Sequence, residues 1–143
     1  MFLNFYHKHM TKRATSEAEQ FVKSRKNSFL AAFQGLAFVF RTQRNAWIHL
    51  AATIIVIGVS LFLQLEITEW ITLLLVIGLV WLAEFLNTAF EVIVDLASPE
   101  VHPLAKISKD VGAASVLLTA ILAVIIGILI LGPAILEKIN ILD

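Results

Sequence analysis

The sequence lacks several features that define other classes of protein. It contains no cysteine, which excludes disulfides, thiolate metal ligands and a cysteine nucleophile. It has no glycine-rich phosphate loop, protein-kinase motif or nucleophile elbow, so the soluble nucleotide-binding folds are excluded. No internal repeat supports a duplicated transporter architecture. Eleven basic residues balance eleven acidic ones, so net charge gives no argument for nucleic acid, and no such partner is expected.

Apolar residues, in contrast, are abundant. The chain has 143 residues, of which 59% are hydrophobic and 15% charged, and its mean hydropathy is +0.86. This composition is typical of an integral membrane protein. Residues 1–45 are polar and basic rather than a cleavable signal peptide. We expect a single membrane domain over 16–143, preceded by a disordered segment at 1–15.

Long stretches with few charges predict an all-α membrane protein with three transmembrane helices. From Asn45 to Leu65 the chain has no Asp, Glu, Lys or Arg, which is enough helix to cross a hydrocarbon layer of roughly 30 Å. Two later stretches are nearly as apolar. The predicted spans are about 45–65, 70–96 and 111–136, with a proline-marked loop at 97–109 and a cap at Ser108 for the third span.

The distribution of basic residues predicts the orientation. Eight Lys or Arg precede the first span, none lies between the first two spans, and Lys106 and Lys109 lie between the second and third. Positive charge is enriched on the cytoplasmic side of membrane proteins. The N-terminus, the second loop and the charged end of the second span are therefore expected in the cytoplasm.

A further helix is predicted over 16–43, before the first span. Ser16 and Glu19 fit the capping-box pattern that starts a helix. Aromatic and leucine side chains then recur at helical spacing on one face, and basic residues supply charge: Phe29, Phe33, Leu36, Phe40, Lys23, Arg25 and Lys26. This pattern favours an amphipathic helix on the membrane surface. A helix packed against the bundle would show the same stripe and stays open.

The second span carries the residues that indicate chemistry. Glu84, Asn87, Glu91 and Asp95 are spaced three, four and four apart, so they lie near one stripe of a helix. A carboxylate facing lipid costs several kcal/mol, so such residues normally point at an interior, a partner or a polar cavity. The alternative is a polar seam that holds helices together by hydrogen bonds.

The second loop adds charged groups near the cytoplasmic end of the same helix. They are Glu100, His102, Lys106, Lys109 and Asp110. Carboxylates that hold Mg²⁺ through oxygen, beside a lysine that neutralises phosphate, suit a metal and phosphate site. His49, alone in an apolar span, is interpreted as a hydrogen-bonded contact between helices rather than a ligand.

These residues resemble a known family. The run from Glu84 to Asp95, EFLNTAFEVIVD, resembles the defining motif of the small prokaryotic diacylglycerol kinases, which include the undecaprenol kinases. The run from His102 to Ala114 resembles the second conserved stretch of the family. Arg44-Asn45 with Ile48-His49 is similar to the undecaprenol-kinase branch. The resemblance covers about residues 24–135.

The resemblance implies a homotrimer in the inner membrane of a prokaryote that transfers the γ-phosphate of ATP to a lipid hydroxyl. Glu84 would be the general base and Asn87 would orient the base or the lipid. Glu91 would bind Mg²⁺, and Lys109 would contact phosphate. Glu100, His102 and Asp110 would help to hold ATP.

One position departs from the family pattern. Gln43 stands where the family usually has a second metal-binding glutamate. Glu91 and Gln43 are still assigned to bind the metal and ATP, but the Gln43 amide would bring no charge to the site. The lipid substrate is open between undecaprenol, which the Arg44 to His49 and His102 to Lys106 matches favour, and diacylglycerol. A proton- or cation-coupled transport subunit and a catalytically inactive family member are the alternative functions.

A physical argument also supports the homotrimer that the resemblance implies. A single three-span subunit has little interior, so the carboxylate stripe is expected to need neighbouring copies, which would bring Gln43 over it, to escape lipid. The small residues 112–115 at the start of the third span would let helix backbones approach closely.

Overall fold

The computed structural model describes residues 23–100 and 102–142, and these are helical apart from short connections. The helices are α1 over residues 23–42, α2 over Arg44–Leu63, α3 over Ile67–Ala97 and α4 over Pro103–Leu142. The chain separates into two units, Met1–Arg41 and Thr42–Asp143. The disorder predicted for residues 1–15 and the helix start predicted at Ser16 lie outside the described residues.

Within residues 23–100 and 102–142, three helices are long and apolar enough to cross a membrane, which confirms the predicted number. They are Arg44–Leu63, Ile67–Ala97 and the part of α4 over Pro103–Asn140. Their outward surfaces are lined with exposed leucine and isoleucine, for example Leu75 and Leu117 at 64% and 62%. So large an apolar surface would be unfavourable in water, whereas it is favourable in contact with lipid.

A tight turn joins α2 to α3. Gln64 ends α2 in the left-handed backbone region, with φ 58°, and Leu65 N–H donates to Ser60 O at 3.4 Å, as in the common helix-ending motif. Glu66 precedes the first residue of α3, and its N–H donates to the Glu69 carboxylate at 2.9 Å. The turn therefore fixes how α2 and α3 run past each other.

The connection between α3 and α4 is shorter than predicted. The sequence predicted a loop over 97–109, but α4 begins at Pro103. Proline is favoured as the first residue of a helix because its missing N–H would have no helical partner there. Ser108 lies inside α4 and does not cap it, whereas His102 Nδ1 accepts the Leu104 N–H at 3.2 Å.

Helix α2 runs antiparallel to α3. Gln43 contacts Glu91, His49 contacts Glu84 and Thr53 contacts Trp81, so residue numbers rise along α2 as they fall along α3. Helix α4 packs closely along α3. With 31 residues, α3 is about 46 Å long, so its charged end extends past a hydrocarbon layer of roughly 30 Å.

Candidate functional site

Glu84 is the most enclosed side chain of the polar stripe. Its side chain is 1% exposed, and neither carboxylate oxygen receives a hydrogen bond from any residue that the structure describes. Thr88 lies one turn on and donates to the Glu84 backbone carbonyl at 2.9 Å, so it leaves the carboxylate untouched. A buried carboxylate without donors is unfavourable for folding, which points to a functional reason for it.

Two turns further along α3, Glu91 holds two amides together. The Gln43 Nε2 donates to Glu91 Oε2 at 2.8 Å, and the Asn87 Nδ2 donates to Glu91 Oε1 at 3.0 Å. We call Gln43, Asn87 and Glu91 the amide cluster. The structure thus brings Gln43 at the start of α2 directly onto the carboxylate that the resemblance paired with it.

Two residues of the stripe, Glu84 and Asn87, are buried within one chain, which corrects one argument from sequence. A lone subunit was expected to leave these residues facing lipid, but Glu84 and Asn87 are 1% and 8% exposed in the single chain. Gln43 also reaches Glu91 of its own chain. The burial of Glu84 and Asn87 therefore requires no neighbouring copy, and an oligomer has to be argued on other grounds.

Helix α4 approaches the amide cluster at Gly112. A Cβ atom at this position would collide with the Asn87 side-chain oxygen. That oxygen is buried and accepts no hydrogen bond from a described residue. The first of the predicted small residues thus allows close helix approach, and the Gly112 backbone and the Glu91 bond together hold the Asn87 amide in place.

We expect Gly112→Ala to destabilise the protein by about 1–3 kcal/mol, because the added methyl group overpacks the contact with Asn87. Gly78 has open space around it, so Gly78→Ala should be neutral or slightly stabilising. Thermal unfolding of both variants in one detergent measures the difference. In an Asn87→Ala background the Gly112→Ala penalty should shrink; an unchanged penalty would show that Asn87 is not the residue displaced.

The nucleotide-binding residues predicted in the second loop lie in the connection between α3 and α4 and in the first turns of α4, and two of them form ion pairs with other side chains. Lys109 pairs with Asp95 across α4 and α3, and Lys106 pairs with Asp110 on α4. Glu100 and His102 are exposed. No described contact joins this loop to Glu84 or the amide cluster, so the structure does not assemble the predicted site completely.

His49 is the residue that sequence reasoning underrated. Its Nε2 lies 3.7 Å from Glu84 Oε2, and its side chain is 14% exposed. His49 on α2 therefore contacts α3, as predicted, but this nitrogen has no hydrogen-bond partner among the described residues. Only the register of α2 against α3 reveals the pairing, and the spacing of residues within one helix cannot give it.

An apolar groove begins at the same place. A cavity of about 540 Å³ lies between α2, α3 and α4, and it runs from Ile48 and His49 past Val80 to Ile135. His49 and Thr53 are its polar lining residues, and aliphatic side chains and glycines form the remainder. Its volume is in the range of ligand-binding cavities, about 300–1,000 Å³.

The amide cluster offers oxygen ligands that suit Mg²⁺. Magnesium in phosphate-transferring sites usually takes one or two protein carboxylates and completes its shell with phosphate oxygens and water. Glu91 supplies one carboxylate, and the Gln43 amide can turn its oxygen toward the same point. Within the described residues no group of three acidic or histidine side chains forms a metal cage, so the phosphates would carry much of the coordination.

Comparison with known proteins identifies similar sequences. The family described as prokaryotic diacylglycerol kinase matches residues 30–131. The undecaprenol kinase of Bacillus subtilis is 40% identical over 118 residues, which cover 82% of this chain and 93% of that protein. The diacylglycerol kinase of Synechocystis sp. is 44% identical over 111 residues, covering 77% of this chain and 63% of that protein. The diacylglycerol kinase of Escherichia coli is 30% identical over 104 residues, covering 68% and 85%.

Proposed function

The chain belongs to the prokaryotic diacylglycerol kinase family and is a multi-pass membrane lipid kinase, and we propose that it transfers the γ-phosphate of ATP, with Mg²⁺, to the hydroxyl of a membrane lipid. The observation that carries this proposal is Glu84, an enclosed carboxylate without hydrogen-bond donors among the described residues. It lies between an apolar groove and the amide cluster. This arrangement suits a lipid hydroxyl on one side and phosphate on the other.

Glu84 is the general base in this proposal. Its carboxylate takes the proton of the lipid hydroxyl while the lipid oxygen bonds to the γ-phosphorus and the bond to the bridging oxygen of ADP breaks. Asn87, between Glu84 and Glu91 on α3, orients the reacting groups, and its own orientation is fixed by Glu91 and Gly112.

The nucleotide lies on the cytoplasmic side of Glu84 in this proposal. Glu91 and Gln43 would hold Mg²⁺, which neutralises charge on the phosphates when bound. Lys109 would leave Asp95 to contact phosphate, and Glu100, His102 and Asp110 would line the approach. These roles are supported by the family resemblance and by the position of the loop beyond the charged end of α3.

The lipid chain would lie in the apolar groove, with its hydroxyl at the His49 end beside Glu84. A groove with an almost wholly aliphatic lining suits hydrocarbon and offers nothing to a hydrated cation. Undecaprenol is favoured over diacylglycerol, because the match to the Bacillus subtilis undecaprenol kinase covers nearly all of that protein.

The protein would lie in the inner membrane with its N-terminus in the cytoplasm, as a homotrimer. Helix α1 would rest on the membrane surface through Phe29 and Phe33, which are 68% and 67% exposed, with its lysines toward the lipid headgroups. The orientation is supported by the excess of basic residues before α2.

Incubation of the purified protein in mixed micelles with γ-labelled ATP and a panel of lipids tests the function. We expect label in undecaprenol, with diacylglycerol as the weaker acceptor and ceramide unlabelled. ATP consumption that does not rise with any lipid would contradict the kinase assignment. That result would favour an inactive family member, in which Gln43 is a sign of decay, and cation flux without labelling would favour a transport subunit.

We expect Gln43→Glu to increase the apparent affinity for Mg²⁺. Gln43 lies 2.8 Å from the Glu91 carboxylate, so the variant places two negative charges in contact unless a cation lies between them. Activity at limiting Mg²⁺ should rise or hold, and thermal stability should become dependent on Mg²⁺. Gln34→Glu, on an exposed part of α1, is the control. An unchanged or weaker Mg²⁺ requirement would show that residue 43 does not face the metal.

A further inference from the structure

His49 and Glu84 form a buried pair that the proposed chemistry does not yet explain. Their closest atoms, His49 Nε2 and Glu84 Oε2, lie 3.7 Å apart, and the two side chains are 14% and 1% exposed. Both atoms lack a hydrogen-bond partner among the described residues. Buried polar groups normally have a hydrogen-bond partner, and for each of these two atoms the other is the one available.

The imidazole ring is held in place by its neighbours. Trp81 lies with its ring edge-on to His49, at 6.2 Å between ring centroids and 72° between planes. Trp81 Nε1 donates to Thr53 Oγ1 at 3.1 Å, and Thr53 Oγ1 donates to the His49 backbone carbonyl at 2.7 Å. These contacts connect the backbone of His49 to the indole that packs against its ring, so they define where Nε2 points.

The remaining acidic group nearby does not compete for this contact. Glu91 lies two turns beyond Glu84 on α3, and both its oxygens are bonded to amides of the amide cluster. Lys109 and Lys106 of α4 pair with Asp95 and Asp110 instead. Among the described side chains, His49 is therefore the donor in a position to reach Glu84.

We infer that His49 is a positioning residue for Glu84: its Nε2–H donates to Glu84 Oε2, which leaves Oε1 free to accept the proton of the lipid hydroxyl. This inference rests on the proposed function of Glu84 as base. A separation of 3.7 Å is too long for a hydrogen bond, but catalytic hydrogen bonds often shorten only when substrate binds. This donation requires a proton on Nε2 of the imidazole.

The lining of the groove gives this contact a second consequence. His49 also lines the apolar cavity, so a hydrocarbon chain in the groove would exclude water from the pair. Exclusion of water strengthens a hydrogen bond to a carboxylate. Binding of the lipid would thus strengthen the hydrogen bond between His49 and Glu84, which orients the carboxylate toward the lipid hydroxyl. Without lipid in the groove the hydrogen bond would be weaker.

His49→Leu and His49→Gln test the inference. Leucine suits the apolar groove but cannot donate, whereas the glutamine amide can donate from near the position of Nε2. We expect His49→Leu to lower kcat by about 10- to 100-fold, the loss of one hydrogen bond to a charged group, with KM for ATP unchanged. His49→Gln should recover most of the activity. A purely structural role predicts the reverse order, with leucine tolerated and glutamine harmful.

A double-variant cycle separates this inference from the proposed function. In a Glu84→Gln background, His49→Leu should cause little further loss, because the group that His49 aims is already gone. Two results would show that His49 does not position Glu84. In the first, Glu84→Gln is inactive but His49→Leu turns over normally; in the second, His49→Leu lowers the rate by the same factor in the native and in the Glu84→Gln background. If Glu84→Gln itself turns over normally, the base assignment fails instead. Thermal unfolding of His49→Leu, expected to be unchanged, shows that the variant folds.

Discussion

Glu84→Gln is expected to lower phosphoryl transfer by about 10²–10⁴-fold, the usual effect of losing a general base. The amide has the shape of the carboxylate but cannot accept the proton of the lipid hydroxyl. Glu84 is 1% exposed, so no solvent base has easy access to replace it. Initial rates with labelled ATP and a saturating lipid alcohol measure the effect, and near-normal turnover would refute the assignment.

The same substitution should leave the protein at least as stable as the native chain. The carboxylate receives no hydrogen bond from the described residues, so its burial opposes folding, and a neutral amide removes that charge. A fall in activity with equal or higher thermal stability would separate a catalytic role from a structural one. A polar seam between helices predicts the opposite, because loss of a bond in a seam lowers stability.

Two measurements complete this experiment. ATP binding to Glu84→Gln should be unchanged, because Glu91 and the second loop are intact. Glu137→Gln is the matched control, since it makes the same chemical change at an exposed position near the end of α4. A loss of activity in that variant too would indicate a general effect of charge on the detergent-bound protein.

The sequence predicted the elements better than their junctions. Long apolar stretches with few charges are a direct consequence of the bilayer, and they located three helices that the structure contains. The beginning of α4 was misplaced because Pro103 was taken as a helix breaker. Proline breaks a helix from the inside but is favoured as its first residue, and sequence alone does not distinguish the two.

The site shows the same division between periodicity and packing. Helical spacing placed Glu84, Asn87 and Glu91 on one stripe of α3, and in the structure the first two are buried and Glu91 is half-buried. The pairing of His49 with Glu84 depends on the register of two helices, which the turn at Gln64 sets. Periodicity within a single helix carries no information about that register.

Burial was misjudged for a related reason. The carboxylate stripe was expected to face lipid in a lone subunit, because three helices leave little interior. Gly112 brings α4 so close to Asn87 that the interior suffices. A glycine in an apolar sequence does not reveal which residue it will contact, so this close approach could not be predicted from composition.

Mixing two inactive variants should restore activity if catalytic sites are shared between subunits of a homotrimer. Glu84 of one chain is buried and Glu91, two turns along the same helix, is half-buried, whereas Lys109, near the start of α4, pairs with Asp95 rather than with either glutamate. A neighbouring subunit is therefore proposed to supply the lysine. Random mixing of Glu84→Gln with Lys109→Ala subunits leaves about a quarter of such sites with both residues intact, so about a quarter of native activity is expected.

A second mixture serves as the control. Glu84→Gln combined with Glu91→Gln should stay inactive, because both residues act from the same α3 and every site then lacks one of them. Activity in this control would show that the stripe itself is divided between chains. If the Lys109→Ala mixture stays inactive while cross-linking confirms mixed trimers, each chain carries a complete site. Cross-linking that yields only monomers, with full activity at the same dilution, would refute the trimer itself. Such a result would be compatible with the burial of Glu84 and Asn87, which a single chain already provides.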